Sequence, residues 1–271
     1  MGYRLLVSSS VAPFRKKAER AWNIKRYKWP RDIFRHCVFF GLYHWVDYLK
    51  FLIHLGPKSV FWCGSDLLQL KHWVVHFLQS ADHYVENDVE RERLLRYQVV
   101  AEVRPSFVDE ILEISFKPSK TPHVFMCCHR EREDEYGMEL VNRIAARVPK
   151  TTFHIYGIKV GRFSPNIIYH GKVPEKQFNE EIKQYQAGIR LNEFDGNSEV
   201  TMKSVLMGQY PITRIKYPHI DHCETTEGLI GLLRELKNKK GPNYGAREFW
   251  LNNINKYPWT TNMRKSGRIG E

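Results

Sequence analysis

The sequence predicts an α/β protein built from two Rossmann-like domains facing across a cleft. Three observations carry this reading. Apolar runs of strand length alternate with helical stretches over residues 59–103, the same alternation restarts at 123 and continues to 215, and the segment between them, 114–122, is rich in Lys, Ser and Pro. Alternating strands and helices imply parallel sheets with helices on their faces, and two such units leave a cleft of the kind that holds ligands. Residues 1–117 are read as a reduced N-terminal domain and 118–271 as a C-terminal domain with a terminal helix.

A chain of 271 residues can bury a sizeable core, and neither a repeat period nor a low-complexity tract interrupts it. The five cysteines, Cys37, Cys63, Cys127, Cys128 and Cys223, form no CxxC pair and no set with zinc-ligand spacing. Their odd number and the vicinal pair in an apolar run point to buried thiols in a reducing compartment, and without a signal-peptide pattern the expected location is cytoplasmic. Charge is uneven. Residues 1–60 hold twelve Lys and Arg against three acids, a net of +9 out of +12 for the whole chain. Such a block calls for an anionic partner (nucleic acid, an acidic membrane face or a phosphate-bearing substrate) or else a solvated basic face.

Taken in order, residues 3–8 form a first strand, and 11–35 are basic with Trp22, Tyr27, Trp29 and Phe34 interleaved and Pro30 interrupting any helix that would run through it. Residues 37–55 are the most apolar stretch, with Leu42, Trp45, Val46, Leu49, Leu52 and Ile53 at helical spacing. The favoured reading is a core helix; the second is a helix lying on a membrane surface beside the basic block. A strand at 59–62 runs into Cys63-Gly64-Ser65-Asp66, followed by a helix over 67–78, then strands at 81–85 and 99–103 around a helix at 88–97. Beyond the linker come a strand at 123–127, a helix at 136–148, strands at 152–156 and 166–169, and a helix at 175–186. A buried strand at 187–191 then feeds the polar loop Asp195-Gly196-Asn197-Ser198 and a helix over 198–207, ended by Gly208. An apolar run at 210–215 and helices at 225–236 and 244–259 complete the chain. A strand that feeds a loop and a helix start is a natural cradle for phosphate or sugar hydroxyls, because the first N–H groups of the helix lack partners and its dipole favours negative charge.

The second half carries an ordered set of loose motifs: His154-Ile155-Tyr156-Gly157, Asn166 to Pro174 with its Gly171-Lys172-Val173, the 178–185 helix, Asp195-Gly196-Asn197-Ser198, and Met207 to Ile212. Together these resemble the donor-binding domain of retaining glycosyltransferases of the GT-B fold, the family-four type. The likeness covers about 122–215 and extends more faintly to 60–66 and 81–85.

That resemblance implies a nucleotide-sugar donor, a UDP- or GDP-sugar, held mostly by the second domain, and a glycan, lipid-linked or polymer acceptor. Lys172 and Val173 would lie against the base. Gly196, Asn197, Ser198 and Glu199 would meet the diphosphate and sugar, with Arg130 and Arg132 neutralising charge. Asp195 and Asp66 would be the catalytic carboxylates. No cofactor beyond the co-substrate and no obligatory metal are expected. In retaining transfer of this kind the leaving diphosphate can take the acceptor's proton, so positioning and charge stabilisation dominate.

The chain departs from the pattern at Lys203, which stands eight residues after Asp195 where the family usually has an acid for the ribose hydroxyls; a lysine cannot accept from a diol. Glu199, one turn earlier, either substitutes or makes a surface pair. His44 and His72 are further acceptor-side candidates. Three functions stay open: the glycosyltransferase, a degenerate scaffold of the same fold, and, ranked last, a basic nucleic-acid-binding protein.

Overall fold

The structure, a computed structural model, describes residues 2–260. It comprises two compact α/β units. The first holds residues 2–110, 194–197 and 253–260 and the second 111–193 and 198–252, so the chain returns to the first unit twice after its expected end at 117. The last eleven residues of the expected C-terminal domain lie outside the described residues.

In the first unit, β1 (Arg4–Val7), α1 (Arg15–Ala21), β2 (Lys25–Arg26), β3 (Cys37–Phe40), α2 (Trp45–Ile53), β4 (Lys58–Phe61), α3 (Val75–Leu78), β5 (Asp82–Val85), α4 (Asp88–Leu95) and β6 (Glu102–Val103) follow in order. The strands form one parallel sheet, β2-β1-β3-β4-β5-β6. β3 and β4 are buried along nearly their whole length, which explains their unbroken apolar runs. One face of the sheet packs on Tyr48 and Phe51 of α2; the other packs on Ala18 and Trp22, joined by Tyr257 and Trp259 from the returning chain.

The 37–55 stretch therefore divides. Its first four residues are a strand, and its helix buries Asp47, Tyr48 and Phe51 while Trp45, Leu49 and Ile53 face outward. The core-helix expectation holds in part: α2 packs on the core through Tyr48 and Phe51, but of the six apolar residues at helical spacing Leu42 is buried, Val46 and Leu52 are half-buried, and Trp45, Leu49 and Ile53 are exposed. The expected helix at 67–78 is two short 3-10 turns and the four-residue α3.

The second unit contains β7 (His123–Cys127), α5 (Met138–Ile144), β8 (Thr152–Tyr156), β9 (Ile167–Gly171), α6 (Glu175–Ile182), β10 (Ala187–Arg190), α7 (Glu199–Leu206), β11 (Ile212–Thr213), β12 (Asp221–His222), α8 (Thr226–Glu235) and α9 (Tyr244–Asn253). Its sheet is parallel throughout in the order β12-β11-β10-β7-β8-β9. Counted within the unit this is the 3-2-1-4-5-6 order of dinucleotide-binding folds, with the strand order reversing between β7 and β10. Ser198 and Thr225 cap α7 and α8 by accepting from Thr201 and Gly228 amides, as their positions before apolar helices predict. Among the described residues no helix is long and apolar enough to cross a membrane.

Candidate active site

In open parallel sheets ligands bind beyond the carboxyl ends of the strands where the strand order reverses. In the second unit that point is flanked by the ends of β7 and β10. β7 ends in Cys127 and runs on through Cys128 and His129 to a 3-10 turn, Arg130–Arg132; β10 ends in Arg190. The Arg190 guanidinium stacks 4.3 Å from the centroid of the Tyr136 ring, and Arg132 lies 5.7 Å from the same ring. Cation–π contact holds a guanidinium flat against the ring. Arg130 is exposed, and Arg132 also pairs with Glu135, its Nε 2.8 Å from Oε2.

Burial pushes the Cys127 thiol up to about 12 and Cys128 up to about 11, with Arg190 pulling both back. Both therefore stay neutral, so Arg190 meets no thiolate there, while Glu133 and Asp134 near Cys128 and Glu199 near Cys127 place acids in the same surroundings. Arg190 was missed in the sequence; a lone basic residue closing the apolar run at 187–191 is the signal that marks it.

Lys203 is buried, with 1% of its side chain exposed, and Nζ donates to Asn179 Oδ1 at 2.9 Å. It sits 3.8 Å from Glu175 Oε1 and 5.4 Å from the Phe178 ring, so three α6 residues surround it. Glu199 opens α7 in its first turn. Lys172 is exposed just after β9, and Val173 packs beside Phe125 and Tyr156.

Across the same sheet, β7, β8 and β9 bring three histidines into a row. His123 Nδ1 lies 2.8 Å from His154 Nε2, and His154 Nδ1 lies 2.9 Å from His170 Nε2. Tyr156 donates to Glu181 at 2.6 Å, and Glu181 lies 3.7 Å from His170. Burial, then the neighbouring His123 and His170, hold His154 down to about 3. A second proton on its ring would require both neighbouring histidines to accept from it.

The loop 194–197 belongs to the first unit. Asn87 donates to the Asp195 carbonyl at 2.7 Å, the Asn197 amide donates to Glu86 Oε2 at 2.7 Å, and Gly196 N–H turns back on Asp195 Oδ1 at 3.0 Å. Phe194 packs into the core beside Arg93. Gly64 has φ +86°, and a Cβ there would stand 2.6 Å from the Gly196 nitrogen; a Cβ on Gly196 would stand 2.1 Å from Glu86 Oε2. Two glycines thus let the 63–66 turn and the 194–197 loop lie back to back.

Asp66 is fully buried. Its carboxylate accepts from the amides of Leu42, Cys63 and Leu67, joining the turns that follow β3 and β4. Burial outweighs those hydrogen bonds and raises Asp66 to about 7. Burial likewise raises Glu86, which also accepts from Ser106, to about 8, and Glu90 beside it well above its ordinary value. Glu86 and Asn87, which anchor the loop, follow β5 directly and carry no sequence motif. At the carboxyl ends of β1 and β3, Ser8 donates to Asp47 at 2.6 Å, and Ser10 lies 2.8 Å from the exposed His44 ring. His72 packs 4.9 Å from Tyr97.

No family profile and no curated protein matches the sequence. Solved structures do. S. aureus TarM, in a complex with fondaparinux, alpha-GlcNAc-glycerol and UDP, superposes at TM-score 0.60 and 12% identity over 84% of this chain and 54% of its own. The lipopolysaccharide outer core galactosyltransferase WaaB gives 0.60 and 12% over 94% and 80%. The pneumococcal O-GlcNAc transferase GtfA, with UDP and GlcNAc, gives 0.54 and 13% over 85% and 56%. The fold is that of the GT-B glycosyltransferases. The chain spans about half the length of TarM and GtfA.

Proposed function

We propose that the protein transfers a hexosyl group, with retention, from a nucleoside-diphosphate sugar to a hydroxyl of a glycan, lipid-linked or polymeric acceptor. The observation that carries this is Arg190, flattened on Tyr136, at the end of the strand where the dinucleotide-type sheet of the second unit reverses its order, a guanidinium whose fork suits phosphate oxygens. The GT-B likeness supports it.

In this reading Arg190, with Arg130 and Arg132 from the turn after β7, meets the diphosphate, and its charge is met without an obligatory metal. The start of α7, Ser198 and Glu199, faces the sugar, and the backbone at Lys172 and Val173 meets the base. Stabilising the leaving diphosphate both weakens the anomeric C–O bond and lets a phosphate oxygen take the acceptor proton on the same face. Asp66 acts here as a positioning residue, because its carboxylate is bound by backbone amides. Asp195 and Gly196 hold the loop against the first unit.

The test is a panel of UDP-, GDP- and ADP-sugars read by thermal shift, since a ligand of the folded state alone raises the melting temperature. One nucleotide class should stabilise the protein, EDTA should leave that unchanged, and Arg190→Ala should weaken binding by about tenfold or more, the scale of a charge-assisted phosphate contact. No stabilisation by any of them contradicts the proposal.

A scaffold role is the second reading, favoured by Lys203, which lies buried among α6 side chains where the resemblance expects a ribose-binding acid. It predicts donor binding with no turnover; measurable donor hydrolysis or transfer removes it.

A further inference from the structure

The first unit carries an apolar surface with a basic border that its own fold leaves uncovered. On α2, Trp45, Leu49 and Ile53 stand at i, i+4 and i+8, one stripe of the helix, and Trp45 is 72% exposed. The stripe continues past the helix end to Leu55, 65% exposed, and Phe34, 70% exposed. These residues are neighbours by backbone contact. The amides of Leu55 and Gly56 donate to the Ile33 carbonyl at 3.0 and 2.9 Å, and His54 Nε2 lies 2.9 Å from the Arg35 carbonyl oxygen. His54 Nδ1 lies 3.3 Å from the Tyr27 hydroxyl, which ties in the 25–31 segment and exposed Trp29.

Around this stripe the charge has one sign. Residues 25–58 contain Lys25, Arg26, Lys28, Arg31, Arg35, Lys50 and Lys58 against two acids, Asp32 and Asp47, and both acids are buried. Asp32 is held by Arg4 and Arg35, and Asp47 caps α2, so neither offsets the border. Lys25, Arg26, Lys28 and Arg31 are all exposed.

We propose that this face docks on an anionic lipid surface, with Trp45, Leu49 and Ile53 entering the headgroup–acyl boundary and the 25–35 turn meeting lipid phosphates. Large exposed aromatic and aliphatic side chains along one helix stripe beside a cationic border are the arrangement of a helix lying in the membrane interface. Nucleic acid would use the border but has no use for an aliphatic stripe pointing outward. The proposal rests on these side chains and not on the glycosyl-transfer reading, and its failure leaves that reading untouched.

The test is flotation of the full chain with vesicles of phosphatidylcholine alone and with about a third phosphatidylglycerol, reading tryptophan emission on the same samples. Binding should need the anionic lipid, fall with salt, and shift the emission to shorter wavelength. Trp45→Ser with Leu49→Ser, both at exposed positions, should lower binding roughly tenfold while far-UV dichroism and the melting temperature stay unchanged. Lys25→Glu with Lys28→Glu should do the same through charge. Three results would overturn the idea: equal binding to both vesicle types or none, unaltered binding by the serine variant, or a stripe-dependent self-association with no vesicle binding. Retention of RNA by the chain, insensitive to the serine variant and without vesicle binding, would also overturn it.

Discussion

Gly64 and Gly196 show how little space separates the two turns that meet in the first unit. Gly64 sits at φ +86°, where an L side chain is strained, and its Cβ would reach a backbone nitrogen at 2.6 Å. Gly64→Ala should cost about 1–3 kcal/mol, read as a lowered denaturation midpoint at unchanged slope. Gly231, inside α8 with nothing within 4 Å, is the control: Gly231→Ala should stabilise by roughly 0.5–1 kcal/mol. Lys203 makes the opposite point, that a departure from an expected pattern can be a packing solution. Its ammonium bonds Asn179 and sits near Glu175 and the face of Phe178. Restoring an acid by Lys203→Glu would bury a carboxylate beside Glu175, and the melting curve should show a loss of about 2 kcal/mol or more. A melting temperature equal to that of the wild type would show that α6 does not hold this group.

At the scale of elements, strands buried on both faces and the starts of the longer helices were legible in the sequence. β7 at 123–127 and the starts of α7 and α8 beside Ser198 and Thr225 are where the pattern places them, because burial and helix initiation are local demands, and the structure shows both residues to be caps. What depends on distant partners was not. β2 and β12 have two residues each and exist only through pairing with β1 and β11. α2 has apolar residues on more than one side, and only the packed structure shows that Tyr48 and Phe51 go inward while Trp45 does not. The Asp195 loop reads locally as a strand-to-helix anion cradle; Glu86 and Asn87, more than a hundred positions earlier, claim its backbone. Arg190 was visible as a residue but became a site only when β10 was found beside β7. The histidine row is likewise a product of strand register, His123, His154 and His170 arriving on three adjacent strands.

At the scale of the whole molecule the second unit should lose stability in acid, whereas in the first unit raised carboxyls and the lowered His36, His54 and His83 pull in opposite directions. His154 has a folded value near 3 against an ordinary 6.5, so below about pH 6.5 the unfolded chain takes a proton that the folded chain refuses. The second unit should therefore lose stability as pH falls from 6.5, on the order of 2 kcal/mol by pH 5. Asp66 and Glu86 are raised, to about 7 and about 8, from ordinary values of 3.8 and 4.5. Their unfolded forms release protons first, so their contribution is complete below pH 4 and is lost as pH rises toward 8. Hydrogen exchange corrected for intrinsic rate should show peptides of β7–β9 less protected at pH 5 than at pH 7. Equal or greater protection of β7–β9 at pH 5 would contradict this assignment of charge states.

The central claim is that the reversal point between β7 and β10 receives the diphosphate of a nucleotide sugar. Calorimetric titration of the wild type and of Arg190→Ala with the nucleotide sugar that stabilises best tests it most directly. The account predicts saturable one-to-one binding by the wild type, weakened about tenfold or more in the variant at an unchanged melting temperature. Equal affinity in the two proteins would contradict it.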